Sequence, residues 1–340
     1  MADDSATPGV RVPSHRYGRH YHRRKIKEAV DSISSLPDVI LQHILSFIPT
    51  KLAITTSLLS KRWRHVWCDT PSLSFNDYRL EAPFIDETLT RYTASKMMRF
   101  HLHTSLINNV PHLESWIKFA MSRNVDHLSL DLWNQVANLV DVSSLKEAKL
   151  NICIDSFSKT IKADFLQVTL LKMLEKLHNV EKLTLGGNFL QILSVAELRG
   201  VPFPMFKVKD LTLETVIFQY VIPGIERVLQ NSPDLKKLTL LTKDFYHKPG
   251  EYLGDHMDLE GFNLDQCWKS KYGVFWNKSC LDVESEHVVS FVELMLKNTK
   301  ALDKMVVLLE DHYVRFKEMV PRLSHNYNIS IALYTFKPQS

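Results

Sequence analysis

The chain has 340 residues, of which 42 are Lys or Arg and 38 are Asp or Glu, giving a formal net charge of +4. An apolar fraction of 45% with 24% charged residues is globular composition and excludes wholesale disorder, while the longest apolar runs, such as residues 305–309, fall far short of a membrane span of ~20 residues. Seven basic and three acidic side chains sit in residues 1–30, leaving 35 of each sign in the remainder, so the body is neutral and lacks the excess positive charge of a nucleic-acid-binding domain.

Taken in chain order, residues 1–30 read as an unstructured basic arm. Pro8, Gly9, Pro13 and Gly18 break any element, and Arg16 to Lys27 form a basic run. That run suits either a nuclear import signal or a solubilising tail. No apolar core follows the first charges, so no secretory leader is expected.

The composition changes at Asp31. Leu36 and Pro37 form an extended entry, and Ile40, Leu41, Ile44, Leu45 and Ile48 then recur at helical spacing until Pro49. A second short helix is expected through Leu52, Ala53 and Thr56, and a third, capped by Ser60, through Lys61, Arg62, Trp63, Arg64 and Trp67. Three short helices in about 40 residues bury little surface, so such a unit needs a partner or an attached domain.

A pattern of apolar-x-x-apolar-x-apolar then returns at residues 97–102, 125–130, 145–150, 180–185, 208–213 and 235–240. Its fourth positions (Phe100, Leu128, Ala148, Leu183, Leu211, Leu238) are spaced by 28, 20, 35, 28 and 27 residues. Such spacing is that of strand–helix repeats stacked on a parallel sheet. Residues 113–124, 166–179 and 222–234 read as returning helices. With the leucines facing the core, Ser129, Lys149, Thr184, Thr212 and Thr239 face outward. They offer a recognition surface for a target protein, or the threonines simply suit strands.

Residues 246–280 break the repeat, and Trp268, Tyr272, Phe275 and Trp276 there suit either a partner or packing under a long loop. A helix, a strand, a second helix and a final strand over 329–334 follow. Across the chain there is no GxGxxG, GxxxxGK, GxSxG or HExxH. His101 and His103 share one face of a strand but lack a nearby third ligand, which favours plain solvent-facing residues over a metal site. Cys68, Cys153, Cys267 and Cys280 are widely spaced, as reduced thiols would be. No catalytic residue, metal or cofactor is expected.

Two family resemblances give these elements a meaning. Residues 31–70 closely resemble an F-box, through Leu36-Pro37-Asp38, the Ile-Leu pairs, Pro49-Thr50-Lys51 and the run Ser60 to Arg64, in the wording of the large plant branch. The resemblance implies docking onto the Skp-type adaptor of a cullin-based ubiquitin ligase, with Leu36, Pro37, Ile40, Leu41, Ile44, Leu59 and Trp63 on the contact face. The repeats are similar to the degenerate leucine-rich repeats that follow F-boxes in plant receptors. The C-terminal region resembles an FBD domain, through Phe291 to Leu294, Leu296 to Thr299 and Leu302 to Met305.

The expected architecture is therefore α/β. A basic arm (1–30) precedes an F-box (31–75), a leucine-rich-repeat solenoid with a parallel sheet (90–245) and an FBD-like C-terminal cap (246–340). The expected function is a non-catalytic substrate receptor of an SCF-type ubiquitin ligase in the nucleus and/or cytoplasm. Its expected partners are the adaptor, through it a cullin, and a target protein, with neither nucleic acid nor membrane. A small-molecule-gated receptor and a repeat scaffold without a ligase role remain alternatives.

Overall fold

A computed structural model describes residues 33, 35–133, 135–139, 142–154, 163–242, 285–310 and 314–336. The basic arm with its import-signal candidates, the aromatics Trp268, Tyr272, Phe275 and Trp276, and Cys267 and Cys280 lie outside the described residues. The chain divides into a unit over Met1–Pro37 and a unit over Asp38–Ser340. In the first, Leu36 N–H closes a turn onto the Ile33 carbonyl at 3.1 Å.

The second unit opens with short helices whose limits follow from proline and local sequence. Helix α1 (Asp38–Leu45) places its acidic residue in the first turn, where the helix dipole favours it. Pro49, extended at φ −53° and ψ 139°, precedes α2 (Thr50–Thr55). Helix α3 (Trp63–Val66) has Arg62 at its N-cap and no side-chain cap, so Ser60 does not serve as expected. Arg62 instead reaches back to Asp38 at 2.7 Å, tying α3 to the start of α1.

A sheet of nine parallel strands follows, its spatial order equal to chain order. The strands are β1 (Ser72–Phe75), β2 (Arg99–Thr104), β3 (His127–Trp133), β4 (Glu147–Cys153), β5 (Lys182–Gly186), β6 (Asp210–Glu214), β7 (Lys237–Leu241), β8 (Lys304–Glu310) and β9 (Ser330–Phe336). The helices are α4 (Ala82–Arg91), α5 (Val110–Ser122), α6 (Ala163–Lys176), α7 (Gly187–Leu198), α8 (Ile222–Gln230), α9 (Ser285–Lys297) and α10 (Val314–Tyr327). Parallel neighbours require a crossover, and helices supply it at each step except β3 to β4. There, where the repeat spacing is shortest, the described residues contain no helix.

The repeat positions read from the sequence lie side by side. Phe100, Leu128, Ala148, Leu183, Leu211 and Leu238 pair in one unbroken register. Leu73 extends that row on β1, and Met305 and Ile331 extend it on β8 and β9. These side chains form a single core with helix residues such as Trp116, Leu170, Phe189, Val228, Phe291 and Phe316. The architecture is that of a leucine-rich-repeat solenoid.

The sheet departs from the expectation at both ends. It begins at Ser72 rather than near 90, and β8 and β9 continue the same ladder. Three side-chain amides each fasten one turn to the turn before it. Asn109 Nδ2 donates to Leu80 O at 2.9 Å, Gln135 Nε2 to Leu106 O at 2.9 Å and Asn231 Nδ2 to Phe203 O at 3.1 Å. No described helix is long and apolar enough to cross a membrane.

Candidate interaction surfaces

The first surface is built by α1 to α3. Leu41 and Leu45 point inward and are fully or almost fully buried, which turns Val39, Ile40 and Ile44 outward. Leu58 and Leu59, just after α2, are 85% and 69% exposed. Residues 39–59 carry seven exposed large apolar side chains, while the described residues beyond them carry eight. So dense a run of apolar exposure makes this face a candidate interaction surface.

The expected contact residues are not all on that surface. Ile40, Ile44 and Leu59 are exposed, Pro37 is exposed and Leu36 is half-buried. Leu41 at 0% and Trp63 at 6% exposure are core residues and are corrected to that role: the small unit needs both to pack its own interior. Val39 and Leu58, which the sequence reading did not single out, are exposed on the same stretch. Helical periodicity finds the apolar positions but does not separate those facing the unit's own core from those left outside.

This helical unit is joined firmly to the sheet. Ser74 N–H on β1 donates to Thr50 Oγ1 on α2 at 2.7 Å, and Lys51 meets Asp77 at 3.3 Å. The Tyr92 hydroxyl, buried after α4, donates to the Thr70 carbonyl at 2.7 Å; burial pushes its pKa well up.

The second surface is the outward face of the sheet. Ser129, Lys149, Thr184, Thr212 and Thr239 do form one row, each half-buried and each beside the next. Lys149 is not a free cation. Its Nζ lies 2.9 and 2.8 Å from the two oxygens of Glu214, two strands away. Gly186 permits close packing beneath this span, because a Cβ there would meet Asn151 Oδ1 at 2.2 Å.

Nearer β1, His101 has Ser74 Oγ 3.3 Å from Nδ1 and Asp131 Oδ2 3.3 Å from Nε2, linking three strands. Burial alone would raise the Asp131 pKa. Hydrogen bonds from His101 and Asn151 and the charge of Lys149 outweigh it and hold the carboxyl below its ordinary range. Asp131 was legible as an outward position, but its link and that of Ser74 to His101 were not, because the partners come from other repeats. The described residues contain no group of three metal-ligating side chains. Cys68 and Cys153 are not in disulfides.

An F-box domain model matches residues 33–75. The chain is 75% identical to a putative F-box/LRR-repeat protein of Arabidopsis thaliana over an alignment of 456 residues, gaps included, that covers all of both chains. It is 37% identical to a second F-box/LRR-repeat protein of Arabidopsis thaliana, covering 91% of this chain and 92% of that one. A third relative from the same plant, also an F-box/LRR-repeat protein, is 36% identical over 90% of this chain and 95% of its own length.

Proposed function

The chain belongs to the F-box/LRR-repeat family, and from that premise we propose that it is the substrate-recognition subunit of an SCF-type ubiquitin ligase. The F-box holds the Skp-type adaptor, and through it a cullin, while the repeats hold a target protein. Catalysis in this reading is proximity: tethering raises the effective concentration of target lysines near the charged enzyme, and this chain contributes no nucleophile. Such a subunit works in the nucleus and/or cytoplasm. The segments from Ser285 onward run helix, strand, helix, strand, and Phe291, Phe316 and Leu323 join the repeat core.

The observation that carries the reading is the apolar face of the F-box, with Ile40, Ile44, Leu58 and Leu59 turned to solvent over a core of Leu41, Leu45 and Trp63. Burying each large aliphatic contributes about 1.5–3 kcal/mol, and 1.4 kcal/mol is about tenfold in affinity. Ile40→Asp with Ile44→Asp removes two contacts and would bury two unpaired charges. Adaptor binding is expected to fall by at least about tenfold, read by titration of purified adaptor, with the melting temperature unchanged. Leu36→Ala with Pro37→Ala is expected to act in the same direction. Wild-type affinity in both double variants would sink the ligase reading.

A further inference from the structure

We propose that helix α7 holds a buried water molecule between the side chains of Asn188 and Gln191, a binding site independent of the target-receptor reading. Asn188, Gln191 and Ser194 follow one another at three-residue spacing along a helix that is otherwise apolar from Phe189 to Ala196. All three are at least nine-tenths buried, with Gln191 and Ser194 at 0% exposure. Polar groups this deep inside a protein are held by another protein group or by ordered water.

Protein groups hold only part of this stripe. Ser194 Oγ donates to the Leu190 carbonyl at 3.1 Å and accepts from Gly224 N–H at 2.9 Å. Thr215, buried nearby against Gly187, donates through Oγ1 to the Val216 carbonyl at 3.0 Å. Asn188 Oδ1 and both Oε1 and Nε2 of Gln191 have no hydrogen-bond partner among the described residues, and bulk solvent does not reach them. A dry Gln191 would bury a donor and an acceptor unpaired, a state that folding penalises. The first turn of α7 cannot slide to bring another group within reach. A Cβ at Gly186 would meet Asn151 Oδ1 at 2.2 Å, and one at Gly187 would meet Thr215 Oγ1 at 3.1 Å.

The chemistry of these three atoms selects the occupant. A cation would be opposed by Nε2 and an anion by Oδ1 and Oε1, so the molecule that fits both donates and accepts. Either orientation of the Gln191 amide presents a donor and an acceptor, and water answers both. Residues three apart on a helix have Cβ atoms about 5–6 Å apart. That places the two amides within reach of one water, whose two hydrogen bonds span roughly 5.5 Å. Because α7 is buried at every residue from Gly187 to Ala196, the site favours the smallest molecule of this kind.

The purified full chain is tested in two ways. A crystal structure of the wild type is expected to show water density within hydrogen-bond distance of both the Gln191 amide and Asn188 Oδ1. Oxygen-17 relaxation dispersion counts the waters that stay bound for longer than the protein takes to tumble. That count is expected to fall by at least one on Gln191→Met, which keeps the length of the side chain without its polar atoms. It is expected to keep its wild-type value on Ser194→Ala, because Ser194 is held by protein groups. If Gln191→Met does not fold, Asn188→Leu takes its place, and the wild-type density needs neither variant. No density between the two amides, or an unchanged count, would overturn the proposal. An equal loss on Ser194→Ala would overturn it too, since the count would then follow the loosening of α7 and not the amides. A dry site carries its own sign: Gln191→Met would raise the melting temperature by taking two unpaired polar atoms out of the interior.

Discussion

Asp131 shows how a single residue on the sheet face is tuned by side chains from other repeats. It sits where burial disfavours charge, yet His101, Asn151 and Lys149 keep its carboxyl ionised below the usual range. A carboxyl whose folded pKa is depressed stabilises the protein above its unfolded value, about 3.9 for Asp, and that stability is lost as pH falls through the folded value. Asp131→Asn removes this contribution. The variant is therefore expected to be less stable than wild type at pH 7, with the difference shrinking as urea denaturation is repeated towards pH 3. A constant difference at every pH would assign the effect to packing rather than to charge. Nothing in the local sequence announces this network, because Asp131 lies 18 to 30 residues from Lys149, Asn151 and His101 and meets them only through strand register.

At the scale of elements, the contact between α7 and α8 sets the tolerance of the solenoid's middle. A Cβ built at Gly224 would stand 2.5 Å from the Leu190 carbonyl oxygen and 2.8 Å from the Ser194 nitrogen. Both are backbone atoms of α7 and cannot swing aside. Gly224 N–H also donates to Ser194 Oγ at 2.9 Å. Gly224→Ala gains helix propensity but forces the two helices apart, and overpacking of this kind costs about 1–3 kcal/mol. A fall in urea midpoint with unchanged slope is expected. A midpoint at or above the wild-type value would show that α8 can shift at no cost. The same pair of helices marks a limit of sequence reading. Helix α8 has apolar residues on one face and was legible, whereas α7, from Gly187 to Ala196, is buried all round and offers no amphipathic period. Strand β1 was illegible for a different reason: Ser72–Phe75 has only four residues and no repeat pattern of its own, and its identity comes from pairing with β2.

Across the whole molecule, the apolar spacing was enough to place six strands in register, because a parallel sheet built from near-equal repeats leaves each leucine row one way to be buried. The two ends of that sheet were not legible, and they differ physically. At β1 the edge is covered: Thr50 accepts from Ser74 N–H, and Tyr92 holds the chain just before the strand. At β9 the inward residues Ile331 and Leu333 stay half-buried, while the matching residues Leu183, Leu185, Leu211, Leu213, Leu238 and Leu240 are sealed. In a stack where each unit is stabilised mainly by its neighbours, a half-covered end opens at lower free energy than the middle. Native-state hydrogen exchange is therefore expected to be fastest in β9 and α10, slowest in β5 to β7, and slow again in β1. Thr50→Val leaves the Ser74 N–H buried without an acceptor, which costs about 1–3 kcal/mol, and it should speed exchange in β1 and α2 while leaving β9 as it was. Equal protection along all nine strands would mean that the solenoid opens only as one block, and a response to Thr50→Val at β9 would mean that the F-box steadies the entire sheet rather than its first strand.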